Sequence, residues 1–184
     1  YSSIHAFTSF SLSVLYLLSF DINLYNLLFA NSFVYVLIDT WIVYMYRKYI
    51  HHDIYLWFHH GLFISGIYYF TFIVPEYVKI CYCLLTEIST PFLNWSWMLY
   101  KFPTNQSNRK GETMIAHGSL CITFLVFRVL NLGNMVYRTF YHDFIQQSYQ
   151  LFNVVPMIYI TSLWILNIYW FSLLIHKFIK YKQV

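Results

Sequence analysis

The stretch Val78–Leu99, VKICYCLLTEISTPFLNWSWML, is long and apolar enough to cross a bilayer, yet it carries Glu87 near its middle. A transmembrane helix needs about 20 mostly apolar residues. An ionisable side chain within hydrocarbon costs at least about 2.5 kcal/mol, so it usually faces a bundle interior, a cavity or a partner. Proline has no N–H, so Pro91 also leaves the carbonyl of Glu87 without its helical donor. The stretch therefore predicts a helical membrane protein with a polar interior.

Composition places the whole chain in the membrane class. Of its 184 residues, 59% are hydrophobic and only 10% are charged, whereas a soluble domain carries roughly 25% charged residues. The mean hydropathy is +0.52. The net charge of +4 is explained by basic loops on one side of the membrane. The residues make no case for a metal, a nucleotide or other cofactor, or nucleic acid, because no phosphate-binding glycine loop or ligand spacing is present.

Six segments have the length and hydrophobicity of membrane spans. They cover residues 3–20, 27–46, 54–74, 78–99, 113–137 and 151–178. Basic residues cluster after the second, fourth and sixth segments, which by the positive-inside rule puts both termini on the cytoplasmic or matrix side. The sequence thus predicts an all-α membrane protein with six transmembrane helices, forming a single domain over residues 1–184. Because the chain begins at Tyr1, we expect an N-terminal segment to be missing.

Polar side chains recur at helical spacing within these segments and predict one polar centre. The candidate residues are His5, Asp39, His60, Glu87, Asn94, Arg128, Asn131 and Asn167. A rise of about 1.5 Å per residue puts Asp39 level with His60, and Glu87 level with Arg128 nearer the middle. Pairing lowers the cost of burying charge, so we expect Asp39 to contact a histidine and Glu87 to contact Arg128. An alternative interpretation is that the same residues fix helix register and interhelical contacts.

The order of these residues resembles the TLC-domain family, which includes the translocating-chain-associating membrane protein and the Lag-type ceramide synthases. The strings that carry the resemblance are Ser2–Ala6, Tyr35–Asp39, His52–Asp53, Trp57–His60, Glu87–Asn94, Phe127–Arg128 and Asn167–Phe171. The resemblance covers nearly the whole chain. It implies a six-helix membrane barrel around a lipid-accessible interior, placed in the endoplasmic reticulum or another endomembrane.

The resemblance also implies candidate catalytic residues. In ceramide synthases, paired histidines support acyl transfer, and His59 and His60 match that pair. They would act as general base or transient acyl acceptor. Ceramide synthases carry an acidic His-Asp-x-Ser-Asp string on the next helix, whereas the corresponding stretch here, Thr86–Pro91, has one acid only. The chain therefore resembles the TLC-domain-containing proteins linked to lipid composition more than it resembles ceramide synthases.

Three functions follow from these observations. The first is a protein that binds or handles a membrane lipid and influences membrane lipid composition. The second is a non-catalytic structural subunit of a larger membrane complex with protein partners in the membrane, in which case the mitochondrial inner membrane is the alternative location. The third is a lipid acyltransferase that depends on His59 or His60. Residue chemistry alone does not decide whether the protein is an enzyme.

Overall fold

The computed structural model describes residues 2–46, 53–101, 109–141 and 151–182. Within these ranges 97% of the residues are helical and no strand occurs, which confirms the all-α prediction. Eight α-helical stretches are present: α1 Ser2–Ser19, α2 Ile22–Tyr46, α3 Asp53–Tyr68, α4 Tyr77–Leu84, α5 Thr90–Lys101, α6 Arg109–Phe124, α7 Asn131–Arg138 and α8 Leu151–Lys182.

Short turns of other helix types connect or extend these stretches. A π-helix, Tyr69–Ile73, continues α3, and a second π-helix, Leu125–Leu130, joins α6 to α7. A 3-10 helix, Leu85–Ser89, joins α4 to α5. The eight stretches thus form six helices. Segments predicted as uniform spans at residues 78–99 and 113–137 are therefore each interrupted once.

Three helices in the described part of the chain are long and apolar enough to cross a membrane. They are Ile22–Met45, Gly111–Tyr141 and Val154–Ile179, and at most 28% of the span-length window in each is buried. Such helices expose apolar side chains outward, for example Trp41 at 62% and Ile122 at 66%. This inside-out distribution is that of a protein in lipid, and the chain is an integral membrane protein.

The second helix begins earlier than its hydrophobicity predicts. We expect a start near residue 27, whereas α2 begins at Ile22. The cause is a local cap: the Asp21 carboxylate accepts the backbone N–H of Asn23 at 2.9 Å, and the Asp21 carbonyl accepts the N–H of Leu24 at 3.1 Å. Such a cap satisfies donors that have no partner within the helix.

The chain divides into two compact units. The first unit is Thr8–Leu84. Small hydroxyl side chains, Ser9, Ser13 and Ser32, are fully buried in it, and Ser9 Oγ lies 3.2 Å from Ser32 Oγ. Tyr25 is also buried, and its hydroxyl bonds Thr71 Oγ1 at 2.7 Å. Helices α1 and α2 therefore contact through small polar residues, which permit close approach within membranes.

The second unit comprises Tyr1–Phe7 and Leu85–Val184. In it α5 packs on α6 and α7 packs on α8. Its buried apolar side chains are Ala6, Ala116, Leu120, Phe124, Leu132, Met135, Ile160, Leu163 and Leu166. Two polar residues, Arg128 and Asn167, are buried to a similar degree. The second unit therefore holds a charged group in an interior that also contains neutral polar side chains, such as Ser89 and Ser96.

Candidate functional site

Arg128 lies on the π-helix that joins α6 to α7 and is only 7% exposed. A π-helix contains an extra residue per turn, which alters the direction of its side chains, and such turns are frequent at functional sites. The guanidinium carbon of Arg128 lies 5.1 Å above the ring of Phe124. Phe124 in turn stacks on Phe171 at 6.0 Å. One face of the Arg128 guanidinium is therefore covered by an aromatic ring, a favourable contact for a cation.

The opposing backbone is the 3-10 helix Leu85–Ser89, which carries Glu87. It is followed at once by Thr90 and Pro91, at the start of α5. Because Pro91 cannot donate to the carbonyl of Glu87, a regular α-helical ladder is interrupted here. The missing donor predicted from Pro91 thus coincides with a change of helix type that was not predicted from the sequence.

Arg128 is the centre of a polar network whose other members are Glu87, Ser89, Thr90 and Asn167. Its Nε donates to Ser89 Oγ at 2.6 Å, and its Nη2 donates to Thr90 Oγ1 at 3.3 Å. Its Nη1 donates to Asn167 Oδ1 at 3.5 Å. Nη2 also lies 3.9 Å from Glu87 Oε1, and Thr90 Oγ1 donates to Glu87 Oε2 at 2.9 Å. The Thr90 hydroxyl therefore bridges the two charged groups.

The neutral acceptors around Arg128 are oriented by their own hydrogen bonds. Ser89 Oγ donates to the carbonyl of Thr86 at 3.0 Å. Asn167 Nδ2 donates to the carbonyl of Leu163 at 2.8 Å. Each bond leaves an oxygen lone pair directed to Arg128. Buried polar groups need such partners, since an unpaired one is costly in a low-dielectric interior.

A second polar cluster lies within the unit Thr8–Leu84. His60 Nε2 is 3.1 Å from Asp39 Oδ2, and His60 Nδ1 is 3.2 Å from Thr40 Oγ1. His60 is buried and His59 is half-buried. Since neighbours on a helix point about 100° apart, only one member of the doublet faces α2. The predicted contact between Asp39 and a histidine is present, and His60 is the histidine that makes it.

The remaining sequence-predicted residues have other contacts. Asn94 Nδ2 donates to Ser3 Oγ at 3.0 Å, and Asn131 Nδ2 donates to the carbonyl of Phe127 at 3.2 Å. His5 is 5% exposed. The hydrogen bond of Asn94 connects α5 to α1. The hydrogen bond of Asn131 holds that side chain against its own helix. The residues predicted as one polar set are thus distributed over several local contacts.

Ser89, Thr90 and Thr40 are members of the two clusters that the list of candidate residues omits. Thr40 lies next to Asp39, and Thr90 lies next to Pro91, which is a weak signal because hydroxyl side chains commonly bond their own helix. Ser89 reaches Arg128 through the 3-10 turn that precedes α5. The pattern that would have indicated Ser89 is a hydroxyl residue directly before a Thr-Pro pair in a membrane segment.

Comparison with known proteins gives one result on family membership. A family model for the TLC domain matches residues 1–176. No curated protein and no solved structure gives a significant match. The family match covers nearly all of the chain and includes both polar clusters. The chain therefore belongs to the TLC-domain family, as the order of its polar residues predicts.

Proposed function

We propose that this TLC-domain protein binds a membrane lipid among its helices and thereby influences membrane lipid composition. In this proposal all six helices cross an endomembrane, such as that of the endoplasmic reticulum, and form one domain over residues 1–184. The lipid is held with its head at a polar network and its tails against apolar helix faces. Membrane lipids are then the principal partners of the protein.

The charge-compensated network around Arg128 is the observation that carries the proposal. Arg128 itself lies on Gly111–Tyr141, one of the helices apolar enough to cross a membrane. The guanidinium is 3.9 Å from Glu87, whose side chain is 12% exposed. Ionisable residues within membrane segments are rare and commonly mark pathways or binding sites. An amphiphile fits such a site because the site combines polar and apolar surface.

Lipid analysis of the purified protein tests the proposal. The protein is reconstituted in nanodiscs of mixed natural lipids, repurified, and its retained lipids are quantified by mass spectrometry. A specific lipid should be enriched over its bulk fraction, and the enrichment should be lost in the double variant Glu87→Gln with Arg128→Met. The matched control replaces another acid–base pair, Glu76→Gln with Lys79→Met, whose charged atoms are 2.6 Å apart. Retention of bulk lipid alone, freely exchanged, would contradict the proposal.

A second candidate function is lipid acyl transfer at the cluster of Asp39, Thr40 and His60. The specific observation is that Asp39 Oδ2 lies 3.1 Å from Nε2 of His60. Thr40, whose hydroxyl donates to the carbonyl of Val36, lies 3.2 Å from Nδ1 on the other side of the ring. A carboxylate that orients an imidazole is a recurrent arrangement in general-base catalysis. His59, the other member of the doublet, lies beside it with ring centroids 6.0 Å apart.

Turnover measurements decide this second candidate. Purified protein is incubated with long-chain acyl-CoA and a panel of amine and alcohol acceptors. Acylated product should form with the unsubstituted protein and disappear in His60→Ala, with Asp39→Asn intermediate. His176→Ala, which changes a histidine on α8 outside the cluster, is the control. A lack of product with every acceptor would exclude the candidate.

A structural role in a larger assembly is distinguished by native gels. The network around Arg128 satisfies its own members, which is also what a purely structural charge pair requires. If the native protein migrates only within a large complex and retains no enriched lipid, the structural role is favoured. The mitochondrial inner membrane would then be a candidate location of the protein. Migration as a small particle would exclude the structural role.

A further inference from the structure

Three of the five guanidinium N–H groups of Arg128 donate hydrogen bonds within the protein. Each of the three guanidinium nitrogens has a partner: Ser89 for Nε, Asn167 for Nη1, and Thr90 with Glu87 for Nη2. The Phe124 ring covers one face. A phosphate-bearing head that bound Arg128 would have to compete with Glu87 for the positive charge of the guanidinium.

The neighbouring donors are engaged in the same way. The Thr90 hydroxyl donates to Glu87, and the Ser89 hydroxyl donates to the carbonyl of Thr86. The side-chain amide of Asn167 donates to the carbonyl of Leu163. A hydroxyl group has a single hydrogen, so neither hydroxyl can also donate to a ligand without breaking its present bond. The two hydroxyls of the network are therefore unavailable as donors to a lipid head.

Acceptor capacity remains on Glu87. A carboxylate can accept about four hydrogen bonds, and the described contacts of Glu87 are one hydrogen bond from Thr90 and the ion pair with Arg128. Its side chain retains 12% exposure. A head group that meets this site is thus required to donate, as a hydroxyl does.

Charge gives a second constraint on the head group. Glu87 and Arg128 carry opposite charges 3.9 Å apart, so the pair is neutral as a whole. An anionic or a cationic head placed beside it would be an uncompensated charge in a low-dielectric region, which is strongly unfavourable. An uncharged head avoids that penalty.

We infer that the Glu87–Arg128 site selects an uncharged, hydroxyl-bearing lipid and discriminates against phosphate-bearing lipids, with Glu87 as the residue that determines the preference. This inference rests on the proposed lipid-binding function and names the class of lipid. The hydroxyl of the head donates to the Glu87 carboxylate. Arg128 acts as a positioning residue that compensates the charge of Glu87.

Two photoreactive probes that differ only in the head group test the inference. A clickable diazirine diacylglycerol and the phosphatidic acid with the same chains are each added to the protein in phosphatidylcholine nanodiscs. The diacylglycerol should label the unsubstituted protein at least about tenfold more, equivalent to about 1.4 kcal/mol. Mapped cross-links should fall on residues 85–94 or 124–131.

The variant Glu87→Gln provides the sharper test. It removes the negative charge and leaves Arg128 uncompensated, so the preference should move towards phosphatidic acid. Glu76→Gln, an acid paired with Lys79 outside the network, should keep the original preference. If Glu87→Gln does not fold, as judged by size-exclusion chromatography, the comparison of the two probes on the unsubstituted protein decides alone.

The outcomes separate the inference from the proposed function. Equal or stronger labelling by phosphatidic acid, at the mapped residues and not displaced by bulk lipid, overturns the head-group inference and leaves lipid binding standing. Labelling by neither probe, or labelling that bulk phosphatidylcholine displaces freely, overturns the inference. If the retained-lipid analysis also finds only bulk lipid, the proposed function is removed as well.

Discussion

The indole of Trp164 occupies the space where residue 133 would carry a side chain: a Cβ built on Gly133 lies 3.1 Å from Trp164 Nε1. The same indole nitrogen donates to the carbonyl of Val129 at 2.9 Å. Val129 lies on the π-helix that carries Arg128. The absence of a side chain at Gly133 thus allows α8 to supply a hydrogen-bond donor to the turn that positions Arg128.

Gly133→Ala is therefore expected to destabilise the protein by about 1–3 kcal/mol, because the indole must shift and its bond to Val129 weakens. Gly118→Ala is the matched control, since a Cβ there meets nothing within 4 Å. Alanine is favoured over glycine within helices by about 1 kcal/mol, so the control should be neutral or stabilising. Unfolding by SDS titration in mixed micelles, followed by circular dichroism, measures both. Equal effects of the two variants would contradict the assignment.

The pair of Glu87 and Arg128 gives a second prediction. Arg128→Met leaves the carboxylate of Glu87 buried without its counter-charge and should cost about 3–5 kcal/mol of the free energy of unfolding. The double variant with Glu87→Gln removes both charges and should recover most of that loss. The same titration measures both proteins. A double variant as unstable as Arg128→Met would show that the side chain of Arg128, rather than its charge, is what the fold requires.

The serine contact between α1 and α2 gives a third prediction. Ser9 is fully buried, and its hydroxyl contacts Ser32 at 3.2 Å and accepts from Asn31 at 2.9 Å. Ser9→Leu should separate the two helices and cost at least about 1–3 kcal/mol through overpacking. Ser11→Leu, at an exposed position on the same helix, should stay within about 0.5 kcal/mol of the original protein. Apparent melting temperatures in detergent compare the pair.

Much of this architecture could be predicted from residue spacing. The depth of Asp39, His60, Glu87 and Arg128 along regular helices is sufficient to pair them correctly, because an α-helix has a fixed rise per residue. The sequence could not show which histidine of the doublet faces Asp39. The two histidines are adjacent on α3, and the rotation of α3 about its axis is set by packing.

The details of the Arg128 network could not be predicted for a related reason. They depend on a 3-10 turn and a π-turn, which change the angle between successive side chains and bring Ser89 to Arg128. A prediction based on a regular 3.6-residue period assumes that neither turn is present. Pro91 indicates an interruption, although it does not indicate the type of helix that results. The contacts of Asn94 and Asn131 were unpredictable because an amide can bond its own backbone or a neighbouring helix equally well.

The contact between Asp39 and His60 gives the last prediction. Asp39→Leu leaves His60 Nε2 buried beside an apolar group and should cost about 1–3 kcal/mol, the penalty for a buried polar atom that loses its partner. His60→Leu removes the histidine and should cost less in the Asp39→Leu background than in the original protein. A coupling energy above about 0.5 kcal/mol in this double-mutant cycle is expected for residues in direct contact. Additive effects would mean that the 3.1 Å approach contributes nothing to stability. The cycle depends only on stability, so it holds whether or not the cluster transfers an acyl group.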